Sequence, residues 1–238
     1  DSTVRRGLAW DTRGGVETRL AALEGEQIES LALAPDDMRL VVTLGGNATA
    51  DTRDLWLVNL QTGTRVPLTR DGRSSRPAWY PRADSILFVH QDEQGTTLRR
   101  MAVTGSDKGT VLVPLTGSPA NGYWTPDGRE LVLRMPGQTL RSIWRQRPGV
   151  DPKPLPVLDR GYNETNPAIS PDGRWLAYTS NVSGQAEVYV QPWTGGGAVQ
   201  PVSTDGGASP TWSRDGRELF FVGRDRTLRV VRVTADSS

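Results

Sequence analysis

The sequence predicts an all-β chain, a β-propeller built of four-stranded blades, and three observations carry that prediction. A turn-centred unit returns about every 45 residues. Each unit divides into four short strands, the signature of a propeller blade. No stretch with a 3.6-residue apolar period is long enough for a helix, and EGEQIESLALA, the nearest candidate, leads into the first turn as loop and strand.

Aligned on the turn, five segments read ALAPDDMRLVV, AWYPRADSILFV, YWTPDGRELVL, AISPDGRWLAY and TWSRDGRELFF. The shared turn position is Pro35, Pro81, Pro126, Pro171 and Arg214, in steps of 46, 45, 45 and 43 residues. Random glycine and proline placement would not hold such a step four times. The first strand of a unit ends in a bulky apolar residue, as at Trp79, Trp124, Ile169 and Trp212. In the Pro-Asp-Gly turn, proline presets φ, aspartate bonds to nearby amides and glycine takes a positive φ. A second strand (LVLRM, WLAYTS), a third that often ends at glycine (LWLVNLQTG, IWRQRPG, EVYVQPWTG) and a fourth (RVPLT, TVLVPL) complete the unit.

One domain over 1–238 is expected, with blade units near 6–22 (partial), 29–69, 75–116, 121–158, 166–203 and 208–234 (partial). GLAWDTRGGVETRLA reads as third and fourth strands, and the last unit supplies its first three. That count fits no whole number of four-stranded blades. It favours a six-bladed ring, whole or incomplete, with five blades as the alternative.

Composition narrows the class. Lys+Arg 28 against Asp+Glu 27 leaves a net charge of +1, no footprint for nucleic acid. Lys108 and Lys153 are the only lysines, the mark of a GC-rich bacterial source. Gly 26 and Pro 17 make a turn-rich chain. No apolar run approaches the ~18 residues of a membrane span, so no direct membrane insertion is expected. DSTVRRGLAW lacks the apolar core of a signal peptide. Cysteine is absent, which excludes disulfides and thiolate chemistry.

SPDGRWLAYTS at 170–180 and WSRDGRELFFV at 212–222 resemble the WD-like repeats of the TolB family. Residues 166–221 are similar also to the propeller that follows the kinase domain of many bacterial serine/threonine kinases. The resemblance implies a six-bladed ring and an extracytoplasmic, periplasmic setting, and carries over no catalytic activity. Two turns depart from the pattern: Asp37 stands at the glycine position, and Arg82 and Ala83 replace Asp and Gly. Those turns are expected to be reshaped.

The recurrent Asp36, Asp127, Asp172 and Asp215 read as turn caps. His90, the single histidine, reads as a structural or surface residue, since no G-x-S-x-G elbow or metal-ligand spacing accompanies it. Asn47, Asn163 and Asn181 open three sequons that read as loop chemistry. The periodic tryptophans read as core, with Trp175 and Trp193 less regular. The loops from a fourth strand to the next first strand gather on one face of a propeller. They carry the candidate partner-binding residues Arg73, Arg76, Asn121, Tyr123, Arg160, Tyr162, Glu164 and Asn166. Their mixed charge with two tyrosines suits a peptide or protein segment better than phosphate.

The expected function is therefore a non-enzymatic, extracytoplasmic propeller that binds protein partners without a cofactor. It would serve as a scaffold subunit of a membrane-associated complex or as the sensor portion of a receptor-type kinase. The alternative is a channel-centred metal-dependent hydrolase or lactonase, with Glu26, Asn121, Glu164 and Asn166 as ligands, or the gating propeller of a peptidase.

Overall fold

The computed structural model describes residues 8–11, 17–45, 52–104, 109–115, 121–136 and 140–233. Twenty-one strands lie among them. β1 (Ala9–Asp11) and β2 (Glu17–Arg19) pair only with each other. The remaining strands form five antiparallel sheets, each with its strands in chain order. The first is β3 (Ile28–Leu33), β4 (Arg39–Gly45), β5 (Arg53–Asn59) and β6 (Arg65–Pro67). β7 (Ser74–Trp79), β8 (Ser85–Asp92), β9 (Gly95–Ala102) and β10 (Thr110–Leu115) make the second. The third is β11 (Asn121–Trp124), β12 (Leu131–Pro136), β13 (Arg141–Gln146) and β14 (Leu155–Leu158). The fourth is β15 (Glu164–Ile169), β16 (Trp175–Ser180), β17 (Glu187–Pro192) and β18 (Gln200–Pro201). β19 (Gly207–Trp212), β20 (Glu218–Gly223) and β21 (Leu228–Arg232) make the fifth.

Among the described residues the blade count is five, not the favoured six. The N-terminal hairpin, read as the tail of a sixth blade, is joined to no first or second strand among the described residues. The blades fall into two compact units, residues 1–115 and 116–238.

The turns are alike where the sequence expects them to differ. The carboxylates of Asp36, Asp127, Asp172 and Asp215 each accept the backbone amide two residues on, at 2.9–3.1 Å. The hydroxyls of Thr125 and Ser213 donate to Asp127 and Asp215, holding both carboxyls below their usual range. Asp37 and Ala83 are not reshaped. They keep φ at 58° and 57°, beside 70°, 74° and 71° at Gly128, Gly173 and Gly216. The same amide-to-carbonyl bond closes all five turns. Repeat packing thus overrides the 1–2 kcal/mol that a left-handed L-residue costs.

The core lies between neighbouring sheets. In the first unit Val41 and Leu55 pack with Trp79, Ile86, Phe88 and Met101 of the next blade. In the second, Val132, Ile143 and Leu158 pack with Leu176, Tyr178 and Trp193, and Ala177 and Val188 pack with Leu219 and Phe221. Trp193 is therefore core. The recurrent tryptophans also tie blades together: the indole N–H of Trp79 donates to the Ala32 carbonyl, and that of Trp212 to the Ala168 carbonyl.

Candidate partner-binding site

Three of the loops that enter a first strand, those into β7, β15 and β19, are each fastened by a hydroxyl–carboxylate pair. In the first blade the Thr69 hydroxyl donates to Asp54, Thr69 Oγ1 accepts the Leu55 amide, and Asp54 accepts the Gly72 amide. The fourth blade repeats this with Ser203, Glu187, the Val188 amide and the Gly206 amide. In the third the polarity reverses, and Ser142 donates to Asp159. The loops thus leave a fixed anchor.

On the first strands, one position stands out. Arg76, Asn166 and Ser209 adopt φ of 55°, 51° and 56°, each immediately before a proline and each at a slip in strand register. Such bulges re-aim side chains. Asn166 and Ser209 are exposed and Arg76 half-buried, while Pro77, Pro167 and Pro210 are buried. A threonine on the preceding blade accepts the freed amide: Thr43 that of Arg76 at 3.2 Å, and Thr179 that of Ser209 at 3.1 Å. Asn121 holds the same position in the third blade, ahead of Gly122. Its side chain lies outside the described residues.

Within the second unit the candidates separate into two groups. Tyr123 and Asn166 line one cavity of about 350 Å³, together with Ser209, Thr211, Pro167 and Pro210. Tyr123 is 40% exposed. Arg160 and Glu164 face each other instead: Arg160 Nε donates to Glu164 Oε1 at 3.0 Å and its Nη2 to the Tyr178 hydroxyl at 2.9 Å. Glu164 is fully buried, and its Oε2 has no hydrogen-bond partner. Burial pushes the Glu164 carboxyl above its usual value. Glu164 thus positions Arg160, and Tyr162 stands exposed between them in sequence.

In the first unit Arg73 is exposed, its amide donates to Asp71, and its guanidinium lies 3.9 Å from Glu93. His90 is buried among Ser74, Asp71 and Asp92. Ser74 is wholly buried too, so this Ser–His–Asp grouping offers no nucleophile to a substrate. Sequence reasoning missed Ser209 and its first-blade counterpart Ser30. The signal for Ser209 was present in the Ser-Pro dipeptide five residues ahead of the turn position.

The metal reading does not fit these residues. Glu26 is paired with Arg65 at 2.6 Å and Glu164 with Arg160. No group of three or more His, Asp or Glu among the described residues is placed to hold an ion. Asn163 and Asn181 engage the backbone, Asn181 accepting the Asn163 amide and Asn163 that of Arg141. The Asn47 sequon lies outside the described residues. A further cavity of about 910 Å³ opens between the third and fourth blades, near their turns. Its arginines 145 and 147 are paired with Glu130 and Asp151.

Sheets of this order, opened by one recurring turn, define a β-propeller. No protein-family model matches the chain. The Tol-Pal system protein TolB of Anaeromyxobacter dehalogenans is 28% identical over 177 residues, 67% of this chain. The chain spans only 40% of that relative's length. The crystal structure of TolB from Acinetobacter baumannii matches with a TM-score of 0.80 at 20% identity, over 95% of this chain and 57% of that one. A prolyl endopeptidase structure shares the fold at a TM-score of 0.59 and 16% identity, over 97% of this chain and 47% of that one. The chain is a β-propeller, similar in sequence and fold to TolB proteins.

Proposed function

We propose that the chain is a non-enzymatic, periplasmic protein-binding module, a scaffold subunit that holds an extended segment of a partner in a membrane-associated assembly. The observation that carries this is the cavity in the second unit where Tyr123, Asn166 and Ser209 converge over buried prolines. It offers an aromatic face, an amide and a hydroxyl, the chemistry of peptide recognition, with no activated nucleophile beside it. Arg73 and Arg76 form a corresponding patch on the first unit. Tyr162 is exposed in the loop ahead of the fourth blade, and Glu164 holds Arg160 in place. Likeness to a Tol-Pal system protein supports the membrane-associated setting. No helix among the described residues is long and apolar enough to cross a membrane.

The test is capture of a protein from a bacterial membrane extract by the wild type, Tyr123→Ser and Tyr162→Ser, with metal content measured in parallel. A partner whose affinity falls by about 2 kcal/mol, roughly thirtyfold, in either variant supports the reading. Capture unchanged by both variants, or no partner and one tightly held divalent ion, overturns it. The prolyl endopeptidase likeness favours a second reading, a propeller that gates a peptidase domain elsewhere in a longer polypeptide. Peptidase activity that co-purifies with that polypeptide and vanishes on removal of residues 1–238 would establish it.

A further inference from the structure

His90 is 6% exposed, and each of its ring nitrogens faces a carboxylate. Nδ1 lies 3.5 Å from Asp71 in the loop before β7, and Nε2 lies 3.4 Å from Asp92 at the end of β8. The Ser74 hydroxyl sits 3.4 Å from both Nδ1 and an Asp71 oxygen. A neutral imidazole has one N–H, so it can donate to one carboxylate alone. With that proton on Nε2, it donates to Asp92, and Ser74 donates to Nδ1. A second proton turns Nδ1 into a donor toward Asp71 and frees the Ser74 hydroxyl for the same carboxylate.

We propose that protonation of His90 is a switch that tightens the hold of the second blade on the loop ahead of β7, and with it on Arg73. This deepens, and rests on, the partner-binding reading, because the loop carries Arg73, one of the residues assigned to partner contact. At neutral pH the loop is already joined to β8 by the Gln91 amide, which donates to the Arg73 carbonyl at 3.0 Å, and acidification adds a side-chain tie through Asp71.

The charged groups around the ring are few. Asp71 comes from the loop, Asp92 from β8, and Arg99 from β9, where its guanidinium lies 3.5 Å from Asp92. Arg73 and Glu93 lie further out, 3.9 Å from each other. Thr97 on β9 contributes only its hydroxyl, to the His90 carbonyl. Burial, followed by Arg99, draws the imidazole below its ordinary value, against the pull of Asp71 and Asp92. The change therefore falls on the acid side of 6.5.

His90 is the only histidine, so its imidazole resonances can be followed by NMR without ambiguity. The experiment titrates the free protein from pH 7.5 to 4.5 and records the ring together with hydrogen-exchange protection of the Gly72 and Arg73 amides. As the ring protonates, protection should rise roughly threefold to tenfold, the range of a partly exposed charge-assisted bond. His90→Asn should abolish the rise. Should that variant fail to fold, Asp71→Asn serves, because it keeps the imidazole titration and removes the loop's response. A ring that titrates while the loop does not respond, a response that persists in the variants, or a ring that stays neutral throughout would overturn the switch. None of these results bears on partner binding, which the capture experiment decides separately.

Discussion

Replacing Glu164 with methionine should stabilise the protein. The carboxylate is fully buried, and one oxygen lacks a partner. A buried polar atom left unsatisfied costs about 1–3 kcal/mol. The compensating ion pair is weak, because the Arg160 side chain is 45% exposed and such pairs yield about 0–1 kcal/mol. Methionine has similar length, removes both oxygens, and leaves Arg160 its bond to Tyr178 and solvent. The net gain at pH 7 is about 1–2 kcal/mol, or roughly 3–6 °C in Tm for a chain of this size.

The pH dependence gives a second readout. The folded-state value of Glu164 is raised, so the folded state takes up the proton more readily than the unfolded chain. Protonation thus relieves the burden as pH falls through the folded value toward 4.5, and the gap between variant and wild type closes there. Thermal unfolding by circular dichroism at pH 7.0, 5.5 and 4.5 measures both effects. A Tm that drops by several degrees at pH 7, or a gap that widens in acid, would refute the reasoning, because the carboxylate would then be net stabilising.

Other outcomes follow from the contacts between blades. Thr179→Val removes the acceptor of the Ser209 amide at 3.1 Å and should lose about 1–2 kcal/mol in urea unfolding. Trp212→Phe gives up the bond to the Ala168 carbonyl and some packing, and should lose about 1–3 kcal/mol by the same assay. Asp37→Gly relieves a left-handed residue at φ 58° on an exposed turn and should raise stability by about 0.5–1 kcal/mol, read from the denaturation midpoint.

The repeat itself was legible, because the turn chemistry of Pro35, Pro81, Pro126, Pro171 and Arg214 is local. Each turn is closed by its own residues, and sequence spacing alone locates it. What escaped was non-local. Asp37 and Ala83 read as departures by residue type, yet both keep the glycine conformation in turns closed by the same bond. The blade count depended on whether the N-terminal hairpin joins another sheet, which no local pattern encodes. Arg160 and Glu164 looked like two ligands for a partner. Their mutual pairing comes from Tyr178, which closes over Arg160 from 18 residues away. His90 read as unremarkable because its two carboxylates come from different segments, Asp71 lying on the far side of a strand and turn.

The left-handed residue ahead of the buried proline bears on how such a protein can change over generations. Its backbone shape is imposed by the register slip, by the proline behind it and, at Arg76 and Ser209, by a threonine next door. The outward side chain contributes little to that shape, and three blades already carry arginine, asparagine and serine there. Exchanging these residue types among the three positions should alter stability by no more than about 0.5 kcal/mol. On the partner-binding reading proposed above, the fold can therefore acquire a new specificity through single substitutions, one blade at a time, while its folding remains insulated from the choice.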